Sequence, residues 1–128
     1  DGWDAAVKAV ALANVLMGVD VRPSEVARCG IRDMTIAEVQ SAAQQGFALR
    51  LLATGELSAD GVCLRVAPAR VPAASPFGSA RGSTNVLVLK TDLMGELTLV
   101  ETDPGVGQTA YALLSDLLCI HTEKQPRK

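Results

Sequence analysis

Polarity along the chain follows helical periods up to residue 46, strand periods to about residue 100, and a helical period again near the end. From Ala9 to Met17 the sequence reads Ala-Val-Ala-Leu-Ala-Asn-Val-Leu-Met, with Asn14 its one polar residue. A run apolar on nearly every side predicts a buried helix, from about Asp4 to Met17 with Gly18 as its stop. A short helix is predicted after Pro23, ending at Gly30. Thr35-Ile36-Ala37-Glu38 is a capping box that opens a helix through Val39 and Ala43, closed by Gly46. Phe47 to Ala53 and Val62 to Val71, separated by residues 55–60, predict a hairpin. Asn85 to Lys90 and Glu96 to Val100, joined through Asp92 and Gly95, predict a second. Between the hairpins, residues 72–82 hold two prolines and two glycines and read as a constrained loop. That loop is either a tight connection or a wall of a ligand site or subunit contact. Ala110, Leu113, Leu114, Leu117 and Ile120 form an apolar stripe at helical spacing. Helices followed by consecutive antiparallel strands predict an α+β fold, a mostly antiparallel sheet with helices packed on one face.

The first helix carries the candidate chemistry. Asp4 and Lys8 are its only charges, one turn apart and on one face. The positive end of the helix and partial burial disfavour a charge on Lys8, while the Asp4 carboxylate favours it. That balance suits a lysine that gives and takes a proton. The same spacing also fits an N-capping aspartate with an ordinary surface pair, worth roughly 0.3–0.5 kcal/mol. A purely structural buried helix would gain from an aliphatic residue at position 8.

Composition narrows the function classes. A chain of 128 residues with only four aromatic residues needs an aliphatic core and holds one modest domain. Its net charge of −2 and scattered basic residues provide no stripe for nucleic acid. No apolar run approaches the roughly 20 residues that cross a bilayer, and no secretory signal is seen. Cys29, Cys63 and Cys119, odd in number and widely spaced, suit reduced thiols in a cytoplasmic protein. They have no metal-ligand spacing, and His121 stands alone near a polar tail. The first residue is Asp1, and the chain reads as a piece of a longer polypeptide. It contains no Gly-x-Gly-x-x-Gly between a strand and a helix. Arg81 could meet an anion or simply be solvated, and Asn85 lies at a strand start where an amide commonly satisfies backbone.

Gly2-Trp3-Asp4-Ala5-Ala6-Val7-Lys8 before an apolar helix resembles the start of the catalytic helix of homoserine dehydrogenases, which show Gly-x-Asp-x-x-x-Lys there. The resemblance continues in order through Gly30-Ile31, Ser75-Pro76-Phe77, Arg81-Gly82-Ser83-Thr84-Asn85, Thr109-Ala110 and Ser115-Asp116-Leu117-Leu118. It implies a parent enzyme interconverting L-homoserine and L-aspartate 4-semialdehyde with NAD or NADP, on the route to threonine, methionine and isoleucine. Lys8 would be the proton carrier and Asp4 would hold the polar end of the substrate. The nucleotide-binding (Rossmann) half and a further acidic residue would lie upstream of Asp1, so residues 1–128 alone should not turn over. A homodimer through the sheet is likewise implied.

Gly105-Val106-Gly107-Gln108-Thr109 precedes the last helix, where unpaired N–H groups favour close ligand approach. The resemblance assigns Gly105, Gly107 and Thr109 to cofactor contact and makes the last helix pack on the nucleotide-binding domain. A plain glycine turn before a helix is the alternative. One departure stands out: only Gln108 separates the glycine segment from Thr109-Ala110, where the family has about three residues. The implied division is 1–102, a catalytic and dimerisation region, and 103–128, the glycine segment and final helix. A non-catalytic dimerisation or small-ligand-binding module is the competing reading. The isolated chain should also expose the stripe on its last helix, which predicts self-association or poor solubility.

Overall fold

The computed structural model describes residues 1–123. The first helix, α1 (Trp3–Leu16), is rich in alanine, the strongest helix former, and ends where Gly18 takes a positive φ of 65°. Asn14 closes the following loop: its Nδ2 donates to the Val21 carbonyl and its Oδ1 accepts from the Val21 N–H. The lone polar residue of the apolar run is thereby satisfied.

The helix expected after Pro23 is not formed. A single 3₁₀ turn spans Pro23–Glu25, and the chain then enters a two-residue strand, β1 (Ala27–Arg28). β1 runs parallel to a strand nearly forty residues later, with Ala27 opposite Arg65. No local pattern announces such a pairing. Helix α2 (Ile36–Gln44) begins as predicted, with Thr35 Oγ1 accepting from the Glu38 N–H and Glu38 accepting in return from the Thr35 N–H.

The first hairpin is longer than predicted. Strands β2 (Phe47–Ser58) and β3 (Gly61–Pro72) pair along their whole length, from Phe47 opposite Pro72 to Ser58 opposite Gly61. Residues 55–58, expected in the turn, are extended, and only Ala59 and Asp60 connect the strands. The sheet order is β1-β3-β2. Alternation along the strands puts Leu49 and Leu51 with Val62, Leu64, Val66, Pro68 and Arg70 on one face. Ala6, Val10 and Ala13 of α1 pack there with Val26, Leu64 and Val66. α2 covers the same face beside Leu49, Pro68 and Arg70. Both longer helices of this unit therefore lie on one side of a mostly antiparallel sheet, as the pattern predicted. On the other face, Arg50 donates to the carbonyls of Phe77 and Gly78. It thereby fastens the loop after β3, where Ser75 caps the short helix α3 (Pro76–Ser79).

The residues group into two units, Asp1–Ser79 and the part from Ala80 onward. In the second, β4 (Asn85–Thr91) and β5 (Gly95–Glu101) form the predicted hairpin, followed by α4 (Val106–Glu123). That hairpin is a separate two-stranded sheet and does not continue the first. Among the described residues, no helix is long and apolar enough to cross a membrane.

Candidate functional site

The site begins at Gly2, the N-cap of α1, with φ 78° and no side-chain hydrogen bond at the cap. A side chain would be strained at that φ, and its Cβ would stand 3.1 Å from Val66 Cγ1. Glycine thus lets the backbone turn close over the core and start the helix immediately. Asp4 falls inside the first turn and not at the cap, so the capping alternative is set aside. Its carboxylate lies at the positive end of the helix, and Lys8 Nζ is 2.9 Å from its Oδ2.

The spacing prediction holds, and the burial prediction does not. The Lys8 and Asp4 side chains are 67% and 84% exposed. α1 buries only Ala6, Ala9, Val10 and Ala13, a single stripe facing the sheet. Trp3, Val7, Leu12, Val15 and Leu16 are exposed as well, because no second layer of described residues covers them. The apolar composition of α1 therefore overstated its burial in this chain, and the expected advantage of an aliphatic residue at position 8 disappears with it. What remains is an amine and a carboxylate in contact, set between two exposed apolar residues on one helix end. Such a pair can hydrogen-bond an alcohol or carbonyl oxygen and an ammonium group of a small ligand arriving from solvent.

Gly105, Gly107 and Thr109 belong to the second unit. The helix starts inside the segment expected to precede it: α4 begins at Val106, so Gly107 and Thr109 are helical. The Gly105 N–H is already used, donating to Gln108 Oε1 at 2.9 Å. A Cβ on Gly107 would meet no atom within 4 Å, so packing among the described residues does not require glycine there.

The remaining candidates have local partners. Asn85 Nδ2 donates to Glu101 Oε2 across the second hairpin, a side-chain partner where a backbone one was expected. Arg81 Nη1 donates to the Ala80 carbonyl. The three cysteines are exposed free thiols, and no group of metal-ligating side chains occurs among the described residues. The clearest charge perturbation lies elsewhere: the Thr35 N–H and hydroxyl hold the Glu38 carboxyl below the usual glutamate value. Sequence reasoning missed the contacts around α1. Arg28 stacks over the Trp3 ring at 3.4 Å, and Arg32 pairs with Asp1 at 3.0 Å. Arg28 and Arg32 fall in a stretch read as a helix and its exit, with no local signal linking them to Trp3 or Asp1.

A sequence profile of homoserine dehydrogenases matches residues 1–118. The chain is 36% identical over 121 residues to the homoserine dehydrogenase of Methanocaldococcus jannaschii, covering 94% of this chain and 34% of that protein. It is 30% identical to the NAD(+)-dependent homoserine dehydrogenase of Pseudomonas canavaninivorans, covering 98% of this chain and 37% of that protein. The crystal structure of a homoserine dehydrogenase from Thiobacillus denitrificans superposes with a TM-score of 0.85 at 27% identity, covering 97% of this chain and 30% of that one. The chain thus spans about a third of the length of these relatives. With nearly its whole length matched by the profile, the chain belongs to the homoserine dehydrogenase family.

Proposed function

We propose that this chain is the catalytic-domain portion of an NAD(P)-dependent homoserine dehydrogenase, which interconverts L-homoserine and L-aspartate 4-semialdehyde. The observation that carries the reading is the Lys8–Asp4 contact at the accessible start of α1, in a member of this family. In the oxidation direction the Lys8 side-chain nitrogen accepts the proton of the substrate hydroxyl as the C–O bond gains double-bond character. In reduction the Lys8 ammonium returns it to the carbonyl oxygen. Asp4 accepts hydrogen bonds from the substrate's polar end and holds Lys8 in place. The bound nicotinamide supplies hydride acceptance and donation.

The first turn of α4 fits that cofactor. Helix N-termini present N–H groups without intrahelical acceptors, and Gly107 adds no side chain where the described residues leave open space. Gly105, Gly107 and Thr109 are the residues assigned to it, NAD or NADP. In the same reading, residues 1–102 provide catalysis and a homodimer contact through the sheet. Residues 103–128, of which 124–128 lie outside the described residues, pack against a nucleotide-binding domain elsewhere in a cytoplasmic parent of the threonine and methionine route.

One observation favours a second reading, a non-catalytic dimerisation or small-ligand-binding module. The glycine segment is short and α4 has already begun at Val106, which narrows the room for a dinucleotide. The test is reduced-cofactor formation from L-homoserine, with NAD and with NADP, by the parent polypeptide and by residues 1–128 alone. The enzyme reading expects turnover by the parent only. Turnover by neither supports the module, and turnover by residues 1–128 alone contradicts the assignment of the cofactor half to another segment.

A further inference from the structure

We infer that Arg28 is a positioning residue for the Asp4–Lys8 pair, an inference that rests on the function proposed for that pair. The first turn of α1 has little of its own to hold it. Gly2 offers no side-chain cap, and the first intrahelical bond runs from the Ala6 N–H to the Gly2 carbonyl. The turn is held instead by β1 and the residues just after it. Arg28 lies on β1, whose register against Val66 is extended by the bond from the Cys29 N–H to the Val66 carbonyl. From there the Arg28 guanidinium lies 3.4 Å above the centre of the Trp3 ring, and its Nη1 donates to the Asp1 carbonyl. Arg32 grips the Asp1 carboxylate at 3.0 Å. Gly30 completes the clamp by absence: a Cβ there would stand 2.8 Å from Asp1 Cα.

Arg28 is suited to this in a way lysine is not. Its planar group can stack flat on an indole while one edge donates a hydrogen bond. Its Nε is buried without a hydrogen-bond partner among the described residues. A donor left unsatisfied is destabilising, so stacking on Trp3, more than hydrogen bonding at Nε, sets the position of this side chain. Trp3 is the residue before Asp4, so an anchored indole holds the backbone of the turn from which Asp4 projects. The clamp touches neither reacting group, and it acts through the backbone of the first turn.

The experiment has two arms. In residues 1–128, Arg28→Met should speed hydrogen exchange of the Ala6 to Lys8 amides at least five-fold and leave Val10 to Leu16 unchanged. Gly30→Ala, which pushes on Asp1 from the same side, should do likewise. In the parent polypeptide, Arg28→Met should lower kcat/KM for L-homoserine at least ten-fold, and Arg28→Lys should recover part of the loss. In a Lys8→Ala background the Arg28→Met change should cost less than two-fold, because the group it positions is gone. Unchanged exchange in both variants overturns the clamp. An equal loss with and without Lys8 overturns the positioning role in favour of a general structural one. A parent without homoserine-dependent turnover refutes the proposed reaction instead, and the exchange arm still decides whether Arg28 holds the turn.

Discussion

Lys8 Nζ lies 2.9 Å from Asp4 Oδ2 on a part of α1 where both side chains stand in solvent. Exposed pairs of this kind contribute little to stability because water and salt screen them. Asp4→Asn and Lys8→Ala should therefore each change the unfolding free energy of the chain by less than about 0.5 kcal/mol, measured by urea denaturation. A loss several times larger would mean that the pair is structural.

The core is small and aliphatic, and Val66 is its centre, fully buried on the middle strand beneath α1. Val66→Ala removes two methyl groups from a site that α1 and the sheet enclose. It should cost about 2 kcal/mol, from lost burial and the cavity left behind, read as a lower urea midpoint with an unchanged slope. An unchanged midpoint would show that the helix and sheet do not depend on each other as described.

Much of this architecture can be read from local pattern, and the failures share one cause. The Thr35–Glu38 box, the turn at Gly46 and the second hairpin depend on residues close in sequence, and they form where predicted, whereas the first hairpin runs on through residues expected in its turn. β1 depends on Val66 and Arg65, far along the chain, while its local sequence reads as a helix. Gly55 reads as a turn residue, yet it sits in β2 because Leu64 Cδ2 fills the space a side chain would need, 2.9 Å from where its Cβ would project. In the site, the motif spacing predicted the Asp4–Lys8 contact. Its exposure was not legible, because composition reports how apolar α1 is and not which of its faces this chain covers.

Thr35→Ala should destabilise α2 by about 1 kcal/mol, the usual cost of losing a hydroxyl cap. The pH dependence has a definite sign. Glu38 is held below its ordinary value by Thr35, so its contribution is present above the unfolded-state pKa. It is lost as the pH falls through the lower folded-state value. The stability difference between the wild-type chain and Thr35→Ala should thus be constant above about pH 5 and shrink below about pH 4.3. Thermal unfolding followed by circular dichroism across that range checks it; a difference that grows in acid would reverse the assignment.

α4 presents Leu113 and Leu117 at 62% and 64% exposure, with Leu114 and Ile120 also exposed. An exposed stripe of that kind promotes association. Sedimentation velocity of residues 1–128 should show concentration-dependent oligomers that the Leu113→Glu, Leu117→Glu double variant disperses. A monomer at high concentration would contradict this.

The most direct test of the account is the initial rate of NAD(P)H formation from L-homoserine by the parent polypeptide and its Lys8→Ala variant, both confirmed folded. Proton transfer through Lys8 predicts a fall in kcat of roughly 10²–10⁴-fold with the Lys8→Ala variant still binding homoserine. A variant that keeps wild-type kcat would contradict the account and place the proton transfer on another group.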